Sequence, residues 1–388
     1  MFWPIHILNT FLFVAPVSEL GADLEKAGVY PDDVVVAFLA TSDLQEFVEG
    51  VTSSDKKSKQ KADAIYALMQ GLKKEGRWVA DKDNSPKARR PKTAEHLFAL
   101  IHHDKSVNRD VGCYEFSSFF VAAARSVGVD AFGVQKKMKE GGGQVGHVMA
   151  AIRYGPKNQV WTYDLQNDRR GRALGIKVLS DLEFAAHHYN HLSVASYLKG
   201  DLVTSSRMIA YARQLFPDSA SFLNNSATVF SAQGEHALAL AEVLAAVHLE
   251  PANPLFRYQL GRIFLEQGEL KKAQTQLIKA LSLKSGYAIA LRDLGWIKIL
   301  LGEGEAGETM LLQARKKDKL LPEAALFLAL YWKNQKKESK LATLLRDMKA
   351  EGLHDSERML IDKLKNEVQA GNDIRALQVA LERLKALQ

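Results

Sequence analysis

The sequence predicts two folds in series, an α+β domain in the first half of the chain and an all-α superhelix in the second. Before about residue 182, apolar helical patterns alternate with short strand patterns that are bounded by glycine, proline and asparagine. After that point, helical patterns recur with a fixed period along the chain. A chain of 388 residues with 47% hydrophobic residues is long enough for two or three domains with buried cores.

The N-terminal segment contains an apolar run at residues 5–17, which is too short to cross a bilayer as an ordinary helix. With Leu-Gly-Ala behind it at 20–22, the run resembles a secretory signal, although the basic residues that begin such a signal are missing. A signal segment and an ordinary buried segment are both open interpretations. The location is accordingly open between the cell envelope or periplasm and the cytoplasm. Residues 23–50 are predicted to be helical.

The only cysteine of the chain, Cys113, lies where a loop becomes a strongly apolar helix. Asp110 is a candidate N-cap that places Cys113 in the first turn, and Gly128 is a natural C-terminal stop. A lone cysteine is more often an inert core residue, but a helix N-terminus and a nearby histidine are the usual activators of a thiol nucleophile. The Cys113 backbone N–H is a natural oxyanion donor, with Asn108 as a candidate second donor.

A predicted β-hairpin follows, with strands at 147–154 and 159–166. If the four residues between them form the loop, Asp164 lies on the same face as His147, one diagonal step away. A one-residue slip would put the two side chains on opposite faces. In the favourable register Asp164 orients the imidazole while the other ring nitrogen faces Cys113, which is the logic of a catalytic triad.

The sequence motifs around these residues resemble the core of the transglutaminase-like superfamily. Its members have Gly-Cys or Gly-x-Cys at the start of an apolar helix, then a Gly-Ile/Val-x-Ala turn, a strand, a histidine strand and an aspartate strand. The run at 112–132 matches the helix and the turn, Gly-His-Val at 146–148 matches the histidine block, and Trp-Thr-Tyr-Asp at 161–164 matches the aspartate block. The resemblance covers about residues 60–180.

The resemblance implies a papain-like fold with Cys113 as the nucleophile, His147 as the base and Asp164 as the orienting group. We expect no cofactor and no metal. Many members have Ala-Trp directly after the histidine, whereas this chain has Val148 and Met149, which leaves the substrate contacts open but not the triad.

The second half of the chain repeats with a period of about 34 residues, which is the tetratricopeptide signature. Three columns of small residues carry the repeat: Gly200, Gly234, Gly268 and Gly302; Ala212, Ala246, Ala280 and Ala314; and Ser193, Ala227, Gly261 and Gly295. Pro217 and Pro251 close the first two units. Small residues at fixed columns allow two antiparallel helices to approach closely. The combination resembles bacterial proteins that join a transglutaminase-like domain to tetratricopeptide repeats.

The predicted order of domains has four parts. Residues 1–55 form the lead-in, 56–182 the transglutaminase-like domain, 183–353 the tetratricopeptide repeats and 354–388 charged capping helices. The last repeat, at about 320–352, is predicted to be degenerate.

The net charge of +7 comes partly from basic runs at 56–61 and 87–92. Such runs can contact nucleic acid, but they are usually solvated loops, and no nucleic-acid-reading motif accompanies them. We therefore expect no nucleic-acid partner. We also expect no transmembrane span, because no other run in the chain is long and apolar enough.

Two further patterns have ordinary explanations. The Gly-x-Gly-x-x-Gly pattern at 302–307 falls between two repeat helices with no strand before it, so a dinucleotide site is not expected. Glu183, His187 and His191 form a stripe on one helix, and His188 is adjacent. The stripe could hold a metal, but it has no open-site ligand set, and packing at the domain junction is the favoured interpretation.

The leading functional prediction is a thiol-dependent acyl-transfer enzyme that acts on an amide or ester bond, of the peptidase, amidase or transglutaminase type. Hydrolysis is favoured over crosslinking because water competes for the acyl group unless a lid excludes it. The concave surface of the repeats is predicted to recruit a protein or peptide partner. The alternative is a catalytically weak or inactive scaffold whose repeats mediate protein–protein interaction. The acyl donor, the acceptor and the oligomeric state are left open.

Overall fold

The structure is a computed structural model of the chain. It describes residues 15–30, 38, 40–54, 56–80, 93–94, 97–98, 110–136, 147–156, 159–172, 175–318 and 321–350. Within these ranges the residues up to Val229 form one compact unit, and those from Phe230 onward form a second. The predicted domain boundaries stay predictions. Residues 5–14, the basic run at 87–92, Asn108 and the predicted capping helices at 354–388 lie outside the described residues.

Three helices begin the first unit: α1 spans Ala15–Lys26, α2 spans Ser42–Val51 and α3 spans Ser58–Lys74. The Thr41 side chain caps α2 by accepting a hydrogen bond from the Leu44 backbone N–H. Helix α3 buries an apolar stripe at helical spacing, which consists of Ala62, Ile65, Tyr66, Met69 and Leu72. Among the helices that the structure describes, none is long and apolar enough to cross a membrane.

A helix and a small antiparallel sheet form the middle of the first unit. The elements are β1 (Val79–Ala80), β2 (Asp110–Val111), α4 (Cys113–Ser126), β3 (Ala131–Lys136), β4 (Val148–Tyr154), β5 (Gln159–Asp164), β6 (Arg169–Gly171) and β7 (Ile176–Val178). β1 and β2 form a separate parallel pair. The other five strands form one sheet in the order β6-β5-β4-β3-β7, and all its pairs are antiparallel. Helix α4 packs against this sheet.

Helix α4 is buried along its length, as its apolar pattern predicts: all eleven residues from Tyr114 to Ala124 are buried. Gly128, with a φ of 76°, ends the helix as predicted. The predicted N-cap is wrong, because Gly112 is the N-cap and Asp110 belongs to the short parallel ladder of β2 with β1. Cys113 is nonetheless in the first turn of α4.

Helix α5 spans Asp181–Leu198 and packs on the sheet beside α4. It begins with a capping box in which the side chains of Ser180 and Glu183 bond each other's backbone N–H. Gly133 of β3 leaves room for this helix, since a Cβ at that position would lie 2.4 Å from the Phe184 ring. The core of the first unit therefore includes residues of α3, α4, the sheet and α5.

The remaining helices are α6 (Leu202–Leu215), α7 (Ala220–Ala232), α8 (His236–Leu249), α9 (Pro254–Glu266), α10 (Leu270–Leu283), α11 (Ala288–Leu300), α12 (Gly304–Lys317), α13 (Pro322–Asn334) and α14 (Glu338–Ala350). The helices α6, α8, α10, α12 and α14 begin at equal intervals, and α7, α9, α11 and α13 begin at that same interval. The predicted repeat is confirmed. The last unit, predicted to be degenerate, keeps the same helix register.

The turns between paired helices use the predicted glycine column. Gly200, Gly234, Gly268 and Gly302 all have φ between 77° and 86°. This left-handed conformation ends each helix at low cost because glycine has no Cβ. The same position in the last repeat is Lys336, which adopts a φ of 53°.

Two glycines of a second small-residue column limit the distance between paired helices in the second unit. A Cβ at Gly261 would lie 2.9 Å from Leu277, and a Cβ at Gly295 would lie 2.9 Å from Leu311. At these two positions the contacts leave no space for a larger residue on the first helix of the pair. The close approach that the sequence predicts is therefore present in this unit.

Candidate functional site

The three predicted site residues lie at the ends of three elements in the first unit. Cys113 is the first residue of α4 and is partly exposed. His147 directly precedes β4 and is 6% exposed, while Asp164 is the last residue of β5 and is 9% exposed. The hairpin of β4 and β5 has the predicted register, with Tyr154 opposite Gln159. This register brings the two strand ends together.

The His147 imidazole and the Asp164 carboxylate form a buried hydrogen bond. His147 Nε2 lies 2.8 Å from Asp164 Oδ2. Because Nε2 is bound to the carboxylate, Nδ1 is the ring nitrogen that is left for the thiol. The Cys113 side chain lies close enough to this imidazole to raise its pKa. The order thiol, imidazole, carboxylate is that of a triad.

The environment of His147 favours the protonated imidazole. Burial alone lowers its pKa, but the hydrogen bonds with Asp164 and Cys113 and the charges of both groups outweigh burial and raise the pKa to about 10. For Asp164, burial by itself raises the pKa, but hydrogen bonds from His147 and Asn167 hold that pKa below its usual value. Both pKa shifts favour an imidazolium paired with a carboxylate.

Asn167 is a member of this cluster that the sequence did not predict. Its side-chain Nδ2 donates to Asp164 Oδ2 at 2.9 Å, and its backbone N–H donates to Oδ1 at 3.2 Å. The same Nδ2 lies 3.4 Å from His147 Nε2. Asn167 thus fixes both carboxylate oxygens. Aspartate side chains commonly accept a hydrogen bond from the backbone of a nearby turn residue. Such a pattern in the sequence therefore does not distinguish this turn from any other.

Ser117 is a second residue whose contacts the sequence did not predict. Its hydroxyl donates to the Cys113 carbonyl oxygen at 2.7 Å and also lies 3.3 Å from the Val148 carbonyl oxygen. The first contact joins successive turns of α4, and the second reaches the strand that follows His147. Ser117 therefore connects the helix that carries the thiol to the strand that positions the imidazole.

Asp168 lies close to Asp164 in sequence but has a different environment. It forms an ion pair with Lys73 at 2.8 Å, and its side chain is 54% exposed. Its φ is 51°, a left-handed conformation that aspartate tolerates better than most residues. Asp168 is thus bound to α3 and is separate from the contacts of His147.

The histidine stripe on α5 has structural partners. Glu183 Oε1 accepts from Lys177 at 2.7 Å, and His187 is 3% exposed in an aromatic core that includes Phe222. His191 Nδ1 lies 2.9 Å from Glu115 Oε1 of α4. No cluster of metal-ligating side chains occurs in the part of the chain that the structure describes. These contacts match the favoured interpretation of the stripe, in which its side chains pack against neighbouring elements.

No protein-family model matches the sequence, and no curated protein matches it. The similar solved structures include MamA, with 18% identity and a TM-score of 0.35 over 39% of this chain and 90% of MamA. They include Pseudomonas aeruginosa PilF, with 17% identity and a TM-score of 0.42 over 53% of this chain and 94% of PilF. TTC0263, a thermophilic TPR protein of Thermus thermophilus, has 19% identity and a TM-score of 0.42 over 46% of this chain and 98% of its own. All three structures are less than 20% identical to this chain.

Proposed function

We propose that the protein binds a protein or peptide partner through its helical repeats. The observation that carries this proposal is a column of exposed aliphatic side chains in the second unit. Leu244, Ile278 and Leu312 are 46%, 50% and 44% exposed, and they occupy the same position of α8, α10 and α12. Single exposed apolar residues are ordinary, but a set that recurs at the repeat interval is typical of an interaction surface.

Helix α8 adds to this surface. It also exposes Leu238 and Leu249, which are 48% and 44% exposed. Exposed leucines on a helix of the repeats add to the apolar surface that a partner could cover, so this face of α8 favours a bound partner. Of the two functions considered from the sequence, partner binding is the better supported, because it rests on repeats whose period is established on the described residues.

The test compares two triple variants of the full chain. Leu244→Ser, Ile278→Ser and Leu312→Ser together remove the aliphatic column without touching the buried contacts of the repeats. The matched control, Ala241→Ser with Thr275→Ser and Thr309→Ser, changes exposed neighbours on the same three helices. Affinity capture should retain a defined set of partners with the wild type and the control. Retention of the same set by the first variant would contradict binding at this surface.

We propose as a second function that the first unit catalyses thiol acyl transfer. What supports this is the cluster of Cys113, His147 and Asp164. The thiol lies close enough to the imidazole to raise its pKa, and the imidazole is bound to the carboxylate at 2.8 Å. We further propose that α4 and the five-stranded sheet are a papain-like core of the transglutaminase type. The apolar helix with the thiol at its start and the hairpin that joins His147 to Asp164 support this fold assignment.

In the proposed reaction the Cys113 thiolate attacks the carbonyl carbon of an amide or ester, and the C–O double bond opens to an oxyanion. The Cys113 backbone N–H donates to that oxyanion. The His147 imidazolium gives its proton to the leaving amine or alcohol as the C–N or C–O bond breaks, which leaves a thioester on Cys113. Water, or an amine in the crosslinking case, then attacks the thioester carbonyl while His147 takes its proton. The C–S bond breaks, which releases the acid or the new amide and regenerates the Cys113 thiolate. Asp164 holds the imidazole in one orientation throughout.

The test of this second function is trapping of the acyl-enzyme. Incubation with p-nitrophenyl acetate should release p-nitrophenolate and leave an acetyl group on Cys113, detected by mass spectrometry of the intact chain and its peptides. Because Cys113 is the only cysteine, the Cys113→Ala chain is a clean control and should carry no thioester. Equal ester cleavage by the two chains would contradict the proposal. Adding amines as competing acceptors would measure how the acyl group divides between hydrolysis and transfer to an amine.

A further inference from the structure

Side chains of α4 and α5 contact each other at two places, and the order of these places shows that the two helices run antiparallel. Glu115 on the first turn of α4 meets His191 on α5, with Oε1 2.9 Å from Nδ1. Arg125 on the last turn of α4 donates two hydrogen bonds to Asp181 at the start of α5, at 2.8 and 2.9 Å. The first helix of the repeats therefore lies along the helix that carries the thiol and is tied to both of its ends.

The pair at the first turn lies close to the thiol. Glu115 is 7% exposed, and its Oε2 would lie 2.6 Å from a Cβ at position 112. The carboxylate therefore packs over the backbone of Gly112, the residue that precedes Cys113. A buried carboxylate requires a partner, and His191 supplies one from another helix.

Tyr114, the residue after Cys113, is fully buried against the same region of α5. Its ring packs edge-on against the His191 ring at 5.3 Å and lies 5.2 Å from the Phe184 ring. The residue before Cys113 is thus covered by the Glu115 carboxylate, and the residue after it is enclosed by α5. In the later repeats the position of His191 is taken by Asn225, Gln259 and Asp293. Histidine at this position is a feature of the first repeat.

We propose that the Glu115–His191 pair is a positioning device for the Cys113 thiol, which makes the first repeat helix a structural part of the thiol site. This inference rests on the proposed thiol function. The pair fixes the first turn of α4, and with it the direction of the Cys113 side chain toward His147. Loss of the pair lets this turn shift, and small displacements of a reacting group cost rate steeply.

The experiment measures the rate at which iodoacetamide modifies Cys113 in the full chain, with the fold of each variant checked by circular dichroism and thermal unfolding. His191→Ala should be modified roughly tenfold more slowly than the wild type, or slower still. His191→Gln keeps an N–H donor for Glu115 and should recover most of the wild-type rate. Asp181→Asn weakens the ion pair at the far end of the same two helices. It should lower the unfolding temperature but leave the rate per folded molecule unchanged.

Each outcome decides the proposal. Slow modification of His191→Ala, with recovery in His191→Gln and a normal rate in Asp181→Asn, supports it. A wild-type rate in folded His191→Ala overturns it. A loss of rate in Asp181→Asn equal to that in His191→Ala also overturns it, because the effect would then come from general stability. If His191→Ala does not fold, Glu115→Gln replaces it, and a wild-type rate in that variant overturns the proposal. A wild type that reacts no faster than His147→Ala would instead refute the underlying thiol function.

Discussion

Asp164→Asn tests the candidate triad most finely, because asparagine keeps the shape of the side chain and removes its charge. In the wild type, His147 Nε2 and Asn167 Nδ2 lie 2.8 and 2.9 Å from Oδ2, and the Asn167 backbone N–H lies 3.2 Å from Oδ1. An asparagine amide has a single acceptor oxygen. Its NH2 group must therefore face at least one of these three donors.

The least costly orientation keeps the amide oxygen where Oδ2 was, since two donors converge there, and turns the NH2 group toward the Asn167 backbone. The imidazole then keeps its tautomer but loses a charge-assisted hydrogen bond, which contributes about 1.5–3 kcal/mol. The rate of Cys113 modification should accordingly fall roughly 10- to 200-fold. The opposite orientation would hold the wrong tautomer, for which the loss in a serine-protease triad is roughly 10⁴-fold.

The assay is the rate of Cys113 modification by iodoacetamide at pH 7, with circular dichroism to confirm that the variant is folded. Asp168→Asn is the matched control. Its carboxylate is 54% exposed and pairs with Lys73, so its removal should leave the rate unchanged. The assignment of Asp164 is refuted if Asp164→Asn reacts at the wild-type rate, or if Asp168→Asn loses more activity than Asp164→Asn.

Two further predictions concern stability. Lys336→Gly should stabilise the second unit by about 0.5–1 kcal/mol, because removing the strain of a lysine in the left-handed conformation outweighs the greater entropy that a glycine loses on folding. Gly302→Ala should destabilise the same unit. Urea unfolding measures both changes, and a Lys336→Gly chain that is less stable than the wild type would contradict the argument. His147 has a folded-state pKa of about 10 against a usual 6.5, so its contribution to stability is complete below pH 6.5 and is lost as the pH rises through 10. Between pH 7 and pH 10 the wild type should therefore lose more stability than His147→Gln, and parallel urea midpoints would count against the raised pKa.

The helical repeats and the hairpin register could be predicted from the sequence because both depend on local spacing. Glycines at equal intervals require the same helix-ending turn each time, and the helices begin at that interval. A four-residue loop fixes the partner of Tyr154, and the pairing with Gln159 follows from it. Even Lys336, which replaces glycine in the last turn, keeps the left-handed conformation that its column requires.

Contacts between distant segments could not be predicted in this way. The N-cap prediction failed because Asp110 pairs with Val79 of a strand far earlier in the chain, and Gly112 takes the cap instead. Glu115 meets His191 across 76 residues of chain, and the packing of α5 on β3 and against Tyr114 brings them together. Asn167 and Asp168 are adjacent polar residues of one turn, and the sequence gives no physical reason to assign the first to Asp164 and the second to α3.

The rate of Cys113 modification in the native wild type, divided by the rate in native His147→Ala, tests most directly whether the thiol and the imidazole act together. A thiolate next to an imidazolium reacts much faster at neutral pH than an isolated thiol. The predicted result is a ratio well above one, with the label confined to Cys113. The label should also be lost when iodoacetamide is added after prior acylation by p-nitrophenyl acetate. A ratio of one, or labelling that requires denaturation, would contradict an activated thiol at this site.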